Sequence, residues 1–125
     1  MMRLSNHSAL VDLLAGLTVY DGTVPALPVF PYVLVRTFTP DVTARSLNRT
    51  VHARVDRWRL TVAGLNQASV MIVANTVTAR LEGARLNGQR LEAIPDWLPI
   101  LEDEDVKLDN NRHPLYTVLE WRVMH

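Results

Sequence analysis

Pro25, Pro28 and Pro31 recur at every third position of the stretch VYDGTVPALPVFPYVLV, residues 19–35. Each proline fixes its own φ and presses the residue before it toward an extended conformation. A helix is therefore ruled out across this segment. Asp21-Gly22 ahead of it is a turn signal, and YVLVRTF behind it has the β-branched and aromatic composition of a strand. The stretch reads as a turn, a stiff extended arm and then a strand over 32–38. A lone domain has little need of such an arm, whereas an assembly can use one.

The rest of the chain bounds what that arm belongs to. A length of 125 residues predicts a single domain, 1–125, able to bury a core without staples. An apolar fraction of 48% beside 21% charged residues is that of a folded globular chain, so disorder is excluded. Cysteine is absent, which removes disulfides, thiolate metal sites and a cysteine nucleophile. That usage fits an intracellular protein or a component of an assembled particle. MMRLSNHSAL lacks the apolar centre of a signal peptide, and the nearly uncharged run 22–35 is too short and too proline-broken to span a bilayer. No membrane role is expected. NHS at 6–8 and NRT at 48–50 match the glycosylation pattern but, without a secretion signal, read as chance.

Further along, SALVDLLAG at 8–16 predicts a short amphipathic helix, with Ser8 as N-cap, Gly16 as stop, and Leu10, Leu13, Leu14 and Leu17 on one face. Residues 39–50 read as a loop or hairpin tip, long enough to be functional. VHARVDRWRLTVAG, 51–64, alternates with period two, yet its apolar phase changes midway. Val51, Ala53 and Val55 fall on one face; Trp58, Leu60 and Val62 fall on the other. Such a change needs a bulge, a bend or two packing environments. The second half is expected to pack on Val70, Val73, Val77 and Leu119, while Val51, Ala53 and Val55 are expected to lack cover from the chain itself. SVMIVANTVTARLEG, 69–83, predicts a second helix capped by Ser69 and stopped by Gly83, its β-branched content demanding burial. LNGQRLEAI adds an Asn-Gly turn and a short strand, PDWLP breaks the chain, and PLYTVLEWRVMH closes with a strand. The predicted class is α+β: a mostly antiparallel sheet with two helices packed on one face and a long protruding β-hairpin.

Catalytic patterns are missing from the sequence. His7, His52, His113 and His125 lack the spacing of metal ligands, and Ser5, Ser8, Ser46 and Ser69 lack a glycine-elbow context. Five glycines punctuate elements singly rather than forming a phosphate loop, and the acidic run at 102–105 lacks the pattern of a calcium loop. Trp58, Trp97 and Trp121 read as core residues, with a binding cluster as the alternative. No enzyme and no cofactor are expected.

The order of these pieces resembles the tail-completion, or tail-terminator, proteins of long-tailed bacteriophages. The likeness covers nearly the whole chain: a short N-terminal helix, the proline-rich approach to a strand beginning Pro-Tyr, a long strand through WRLTVAG, a helix ending VTARLEG, the turn LNGQRL, and the final strand YTVLEWRV. The resemblance implies a structural subunit that assembles with itself as a ring, usually a hexamer, at the head-proximal end of the tail tube. Such a ring ends tube polymerisation and joins tail to head, with the tail tube protein and head-completion or connector proteins as partners. It encloses the DNA path without sequence-specific binding, in the neck of a virion assembled in the host cytoplasm. Two other readings remain open: a head-completion (stopper) or other neck connector protein, and a small-ligand-binding α+β module using the Trp58–Trp121 region.

Formal charge is zero, which argues against nonspecific nucleic-acid binding as the main role, but it is unevenly distributed. Arg36, Arg45, Arg49, Arg54, Arg57 and Arg59 dominate residues 36–59. Glu92, Asp96, Glu102, Asp103, Glu104, Asp105 and Asp109 dominate 92–109. Twelve of thirteen basic residues are arginine, the interface-favouring cation; Lys107 is the exception. The two blocks are either solvated loops or, in the ring that the resemblance implies, a head-to-tail contact. In the second case some of Arg45, Arg49 and Arg54 of one subunit approach Glu102, Asp103, Glu104 and Asp105 of another subunit, or the acidic run of the adjoining neck ring.

Overall fold

The computed structural model describes residues 2–38, 41–45, 51–94, 99–108 and 112–124, with backbone alone for 2–5, 41–45, 51–54 and 124. A single long strand organises them. β4 (Val51–Gly64) is flanked on one edge by β2 (Tyr32–Thr37) and β3 (Asp41–Arg45), and on the other by β9 (Leu115–Met124). All three pair with it antiparallel. β1 (Val19–Asp21) lies parallel outside β2, while β7 (Glu92–Ile94) and β8 (Leu101–Glu102) lie antiparallel outside β9. Between β4 and β9 the ladder runs unbroken from Val55↔Met124 to Gly64↔Leu115. β5 (Arg85–Leu86) and β6 (Gln89–Arg90) form a small separate hairpin, turned by Asn87 and Gly88, both at positive φ.

Alternation along β4 sends Trp58, Leu60 and Val62 to one face, where they meet Val33 and Val35 of β2 and Trp121 and Val123 of β9. Two helices cover that face. α1 (Met2–Leu13) contributes Leu10, followed by Leu14; α2 (Gln67–Leu81) contributes Val70, Val73, Val77 and Leu81, a spacing that keeps one stripe inward. Leu119 packs partly buried against the same cluster. The fold is α+β with both helices on one side of a mostly antiparallel sheet. The opposite side of the sheet carries no helix among the described residues. The helices are tied to each other where Arg80 of α2 donates to the Leu13 and Ala15 carbonyls at the end of α1. The last carbonyls of a helix lack onward intrahelical donors, so a cation at this end serves both charge and hydrogen bonding. No helix among the described residues is long and apolar enough to cross a membrane.

Four expectations are corrected. α1 begins at Met2, not after Ser8, because Asn6 and His7 are held by tertiary hydrogen bonds that outweigh local capping preference. α2 begins two residues before Ser69: the Asn66 side chain accepts from the Ser69 N–H at 2.8 Å and is the N-cap. Residues 41–45 form β3 rather than loop, continuing β2's line along β4, and their ladder shifts register between Val42 and Ala44 and between Ala44 and Arg45. Val55 is buried, 5% exposed, instead of lacking cover. It stands where β3 and β9 both bracket β4, opposite Asp41 and Met124, so both flanking strands shelter it. Beyond that point, Val51–Arg54 pair with β3 alone, and the β3–β4 hairpin projects past the sheet. The side chains of Val51 and Ala53 lie outside the described residues.

Candidate interaction surfaces

The arm between β1 and β2 folds back on its own sheet. Gly22 N–H donates to the Val35 carbonyl at 2.9 Å, and Arg36 Nε to the Gly22 carbonyl at 3.1 Å. The Tyr20 hydroxyl accepts from Val29 N–H at 2.9 Å, and the Tyr20, Tyr32 and Phe30 rings pack edge to face or tilted at 5.3 Å. Its apex stays outside: Leu27 is 91% exposed, and Val29 is exposed too. The sequence pattern marked the arm's stiffness, and the structure adds that its apex presents apolar side chains to solvent. Burial pushes the Tyr32 hydroxyl's pKa up, with the Asp103 carboxylate and Tyr20 adding to the shift.

Beneath the arm, polar side chains join α1 to the sheet. Trp58 Nε1–H donates to His7 Nδ1 at 3.2 Å, which leaves His7 Nε2 facing the Asp21 carboxylate at 2.9 Å. Asn6, fully buried, donates to Asp56 Oδ2 at 3.2 Å and accepts from Asn87 Nδ2 at 2.6 Å. A cleft of about 470 Å³ opens beside them, lined by His7, Asp21, Arg36, Phe38 and Asp56 among others. With Nδ1 occupied by an indole N–H and Nε2 by a carboxylate, the imidazole acts as a tether. The group fixes α1 on the sheet. Trp58 and Trp121 face each other across β4 and β9, at 1% and 3% exposure, and are core; Trp97 lies outside the described residues.

The helix-free face is charged. Alternation places Arg57 and Arg59 of β4, Arg36 of β2, and Glu120 and Arg122 of β9 there, with Glu92 of β7 opposite Arg122. Glu120, itself little exposed, receives Arg57 at 3.5 Å and Arg59 at 3.1 Å, and Glu92 lies 3.6 Å from Arg122. The Phe38 ring lies 4.8 Å from the Arg57 guanidinium carbon and 5.3 Å from that of Arg59. Arg57 Nε is buried with no hydrogen-bond partner among the described residues.

Of the residues singled out from sequence, Glu102 closes β8, and Asp103, Glu104 and Asp105 form the turn after it. Glu102, Glu104 and Asp105 are exposed and Asp103 half-buried. Arg45 lies on β3 opposite Val51, and Arg54 on β4 opposite Val42, with backbone alone described; Arg49 lies outside the described residues. The arginines of the helix-free face were visible in sequence only as part of a basic block. Strand parity would have collected Arg57 and Arg59, but Arg122 and Glu120 join them only through the β4–β9 register. Among the described residues, no group of three or more His, Asp or Glu side chains is placed to hold a metal ion.

No family model and no curated protein matches the chain. Among solved structures, a chain of the virion of a native gene transfer agent particle shares the fold. The TM-score is 0.52 at 20% identity, over 98% of this chain and 94% of that one. At that identity the likeness concerns architecture, and it extends end to end.

Proposed function

We propose that this chain is a virion structural protein: a ring-forming subunit at the head-proximal end of a phage tail tube, where it ends tube polymerisation and joins tail to head. The observation that carries the reading is the architecture shared with a gene transfer agent virion chain across 98% of the residues. The piece-by-piece likeness to tail-completion proteins in the sequence supports the finer station. Two features of the fold support assembly. The arm apex exposes Leu27 and Val29, and the β3–β4 hairpin runs past the sheet as two strands, a unit marginal in water without a neighbour. In this reading the subunit meets copies of itself, the tail tube protein and head-side connector proteins, surrounds the DNA path without reading its sequence, and performs no catalysis. Negative-stain microscopy of the purified protein tests it. Rings with a central opening, of the hexameric class, are expected. A monomer at high concentration that also ignores purified tail tubes refutes the reading.

A further inference from the structure

Two like-charge pairs stand directly across the strands of the helix-free face: Arg36 opposite Arg59, and Arg57 opposite Arg122. Such pairs are destabilising unless an anion intervenes. Among the described residues, Glu120 pairs with Arg57 and Arg59 and Glu92 with Arg122, four guanidiniums on this face to two carboxylates, and the buried Arg57 Nε has no hydrogen-bond partner. Beside them lies a cleft of about 400 Å³ lined by Arg36, Phe38, Arg59, Thr61, Tyr116 and Val118. Its walls are aromatic and aliphatic, and its charge is cationic. It asks for an acidic segment with apolar shoulders.

The chain itself carries one. Glu102, Asp103, Glu104 and Asp105 are flanked by Leu101 and Val106, both exposed. The turn is pre-ordered: Asp103 N–H donates to the Pro114 carbonyl at 2.8 Å, Asp105 N–H to Asp103 Oδ1 at 3.3 Å, and Val106 N–H to the Asp103 carbonyl at 3.2 Å. Little further ordering is needed for it to dock. It does not serve its own cleft's arginines. Glu102 is registered with Leu115 and Arg59 with Glu120, which separates them by roughly 17 Å along β9.

We propose that the arginine-lined cleft of the helix-free face receives the acidic turn 102–105 of a second copy of this chain. Acidic turn and basic cleft are unlike surfaces that adjoin at Thr61 and Tyr116, and a turn-to-cleft contact repeated in one direction is head-to-tail, the type that closes rings. The proposal rests on the ring reading above and names the arginines involved as those of the sheet face rather than of the hairpin.

Two charge-reversed proteins test it: one with Arg36→Glu and Arg59→Glu, one with Glu102→Lys, Glu104→Lys and Asp105→Lys. Sedimentation velocity at low salt should show each alone self-associating about tenfold more weakly or worse, with the wild-type association itself weakening in high salt. An equimolar mixture of the two should associate again, since reversed cleft then meets reversed turn, and wild-type cleft meets wild-type turn. A misfolded variant cannot give that rescue. Variants that associate like wild type overturn the contact and leave the ring reading standing. A wild-type protein that is monomeric at every concentration overturns the contact, and capping of tube ends then judges the ring reading separately. Loss of retention on duplex DNA in the arginine variant, with association unchanged, also overturns it and assigns the face to a polyanion.

Discussion

Asn6 sits on the buried stripe of α1, where an apolar side chain ordinarily sits. Its amide bridges Asp56 and Asn87, residues 50 and 81 positions away in the chain. Partners that remote leave no periodic trace, so the sequence shows Asn6 only as a polar residue ahead of a leucine stripe. Replacing it with Ala removes one hydrogen-bond partner from the buried Asp56 and one from the exposed Asn87. Urea unfolding should register a loss of about 1–3 kcal/mol. Ser8→Ala is the contrast: Ser8 is exposed within the helix rather than capping it, and its change should stay within about 0.5 kcal/mol. Tyr32 supplies a pH signature. Its hydroxyl pKa is raised, by burial first and by Asp103 and Tyr20 next, so the folded state holds that proton more tightly than the unfolded chain does. The stabilisation is complete below the unfolded tyrosine value, about 10, and is lost as pH rises above it toward the folded value. Chemical unfolding across that alkaline range should show stability falling, and Tyr32→Phe should flatten the fall.

The elements that were legible are those whose periodicity is strong. β4 and β9 alternate, and α2 repeats its valines at helical spacing, so their existence and inward faces follow from pattern alone. In α2 the β-branched stripe has poor intrinsic propensity and is stable because it is covered. Val73→Ala should therefore cost roughly 1–3 kcal/mol in the same unfolding assay, the response of a core position. A response within about 0.5 kcal/mol would mean that the helix turns a different face inward. Other elements were hidden for physical reasons. β1 spans only Val19–Asp21 and takes its identity from parallel pairing with β2, a long-range fact. β3, the sequence Asp-Val-Thr-Ala-Arg, is polar and follows Pro40, so it imitates a loop; pairing with β4 makes it a strand. The start of α2 was misplaced because Asn66 and Ser69 are both good caps, and the choice between them lies in which side chain accepts and which backbone donates. The phase change in β4 was legible, and two packing environments stood among its possible causes beside a bulge or a bend. It reflects two packing environments, the helix-covered core and a helix-free face where β3 and β9 shelter Val55.

At the scale of the whole molecule, one side of the sheet is closed by helices and the other carries paired arginines. An apolar arm apex and a two-stranded hairpin reach beyond the body. That distribution suits a part made to be surrounded by other parts. The opposed charge blocks seen in sequence acquire positions: an ordered acidic turn after β8, and a basic cleft near the middle of the β2–β4–β9 face. The described arginines that line that cleft are Arg36 and Arg59. The proposed assembly makes a claim about place as well as shape, and place is the more direct test. Gold-labelled protein mixed with purified, growing tail tubes should appear as one ring at one end of each tube, and those tubes should stop lengthening. Label scattered along tube walls, or tubes that continue to grow unlabelled at both ends, would contradict the account.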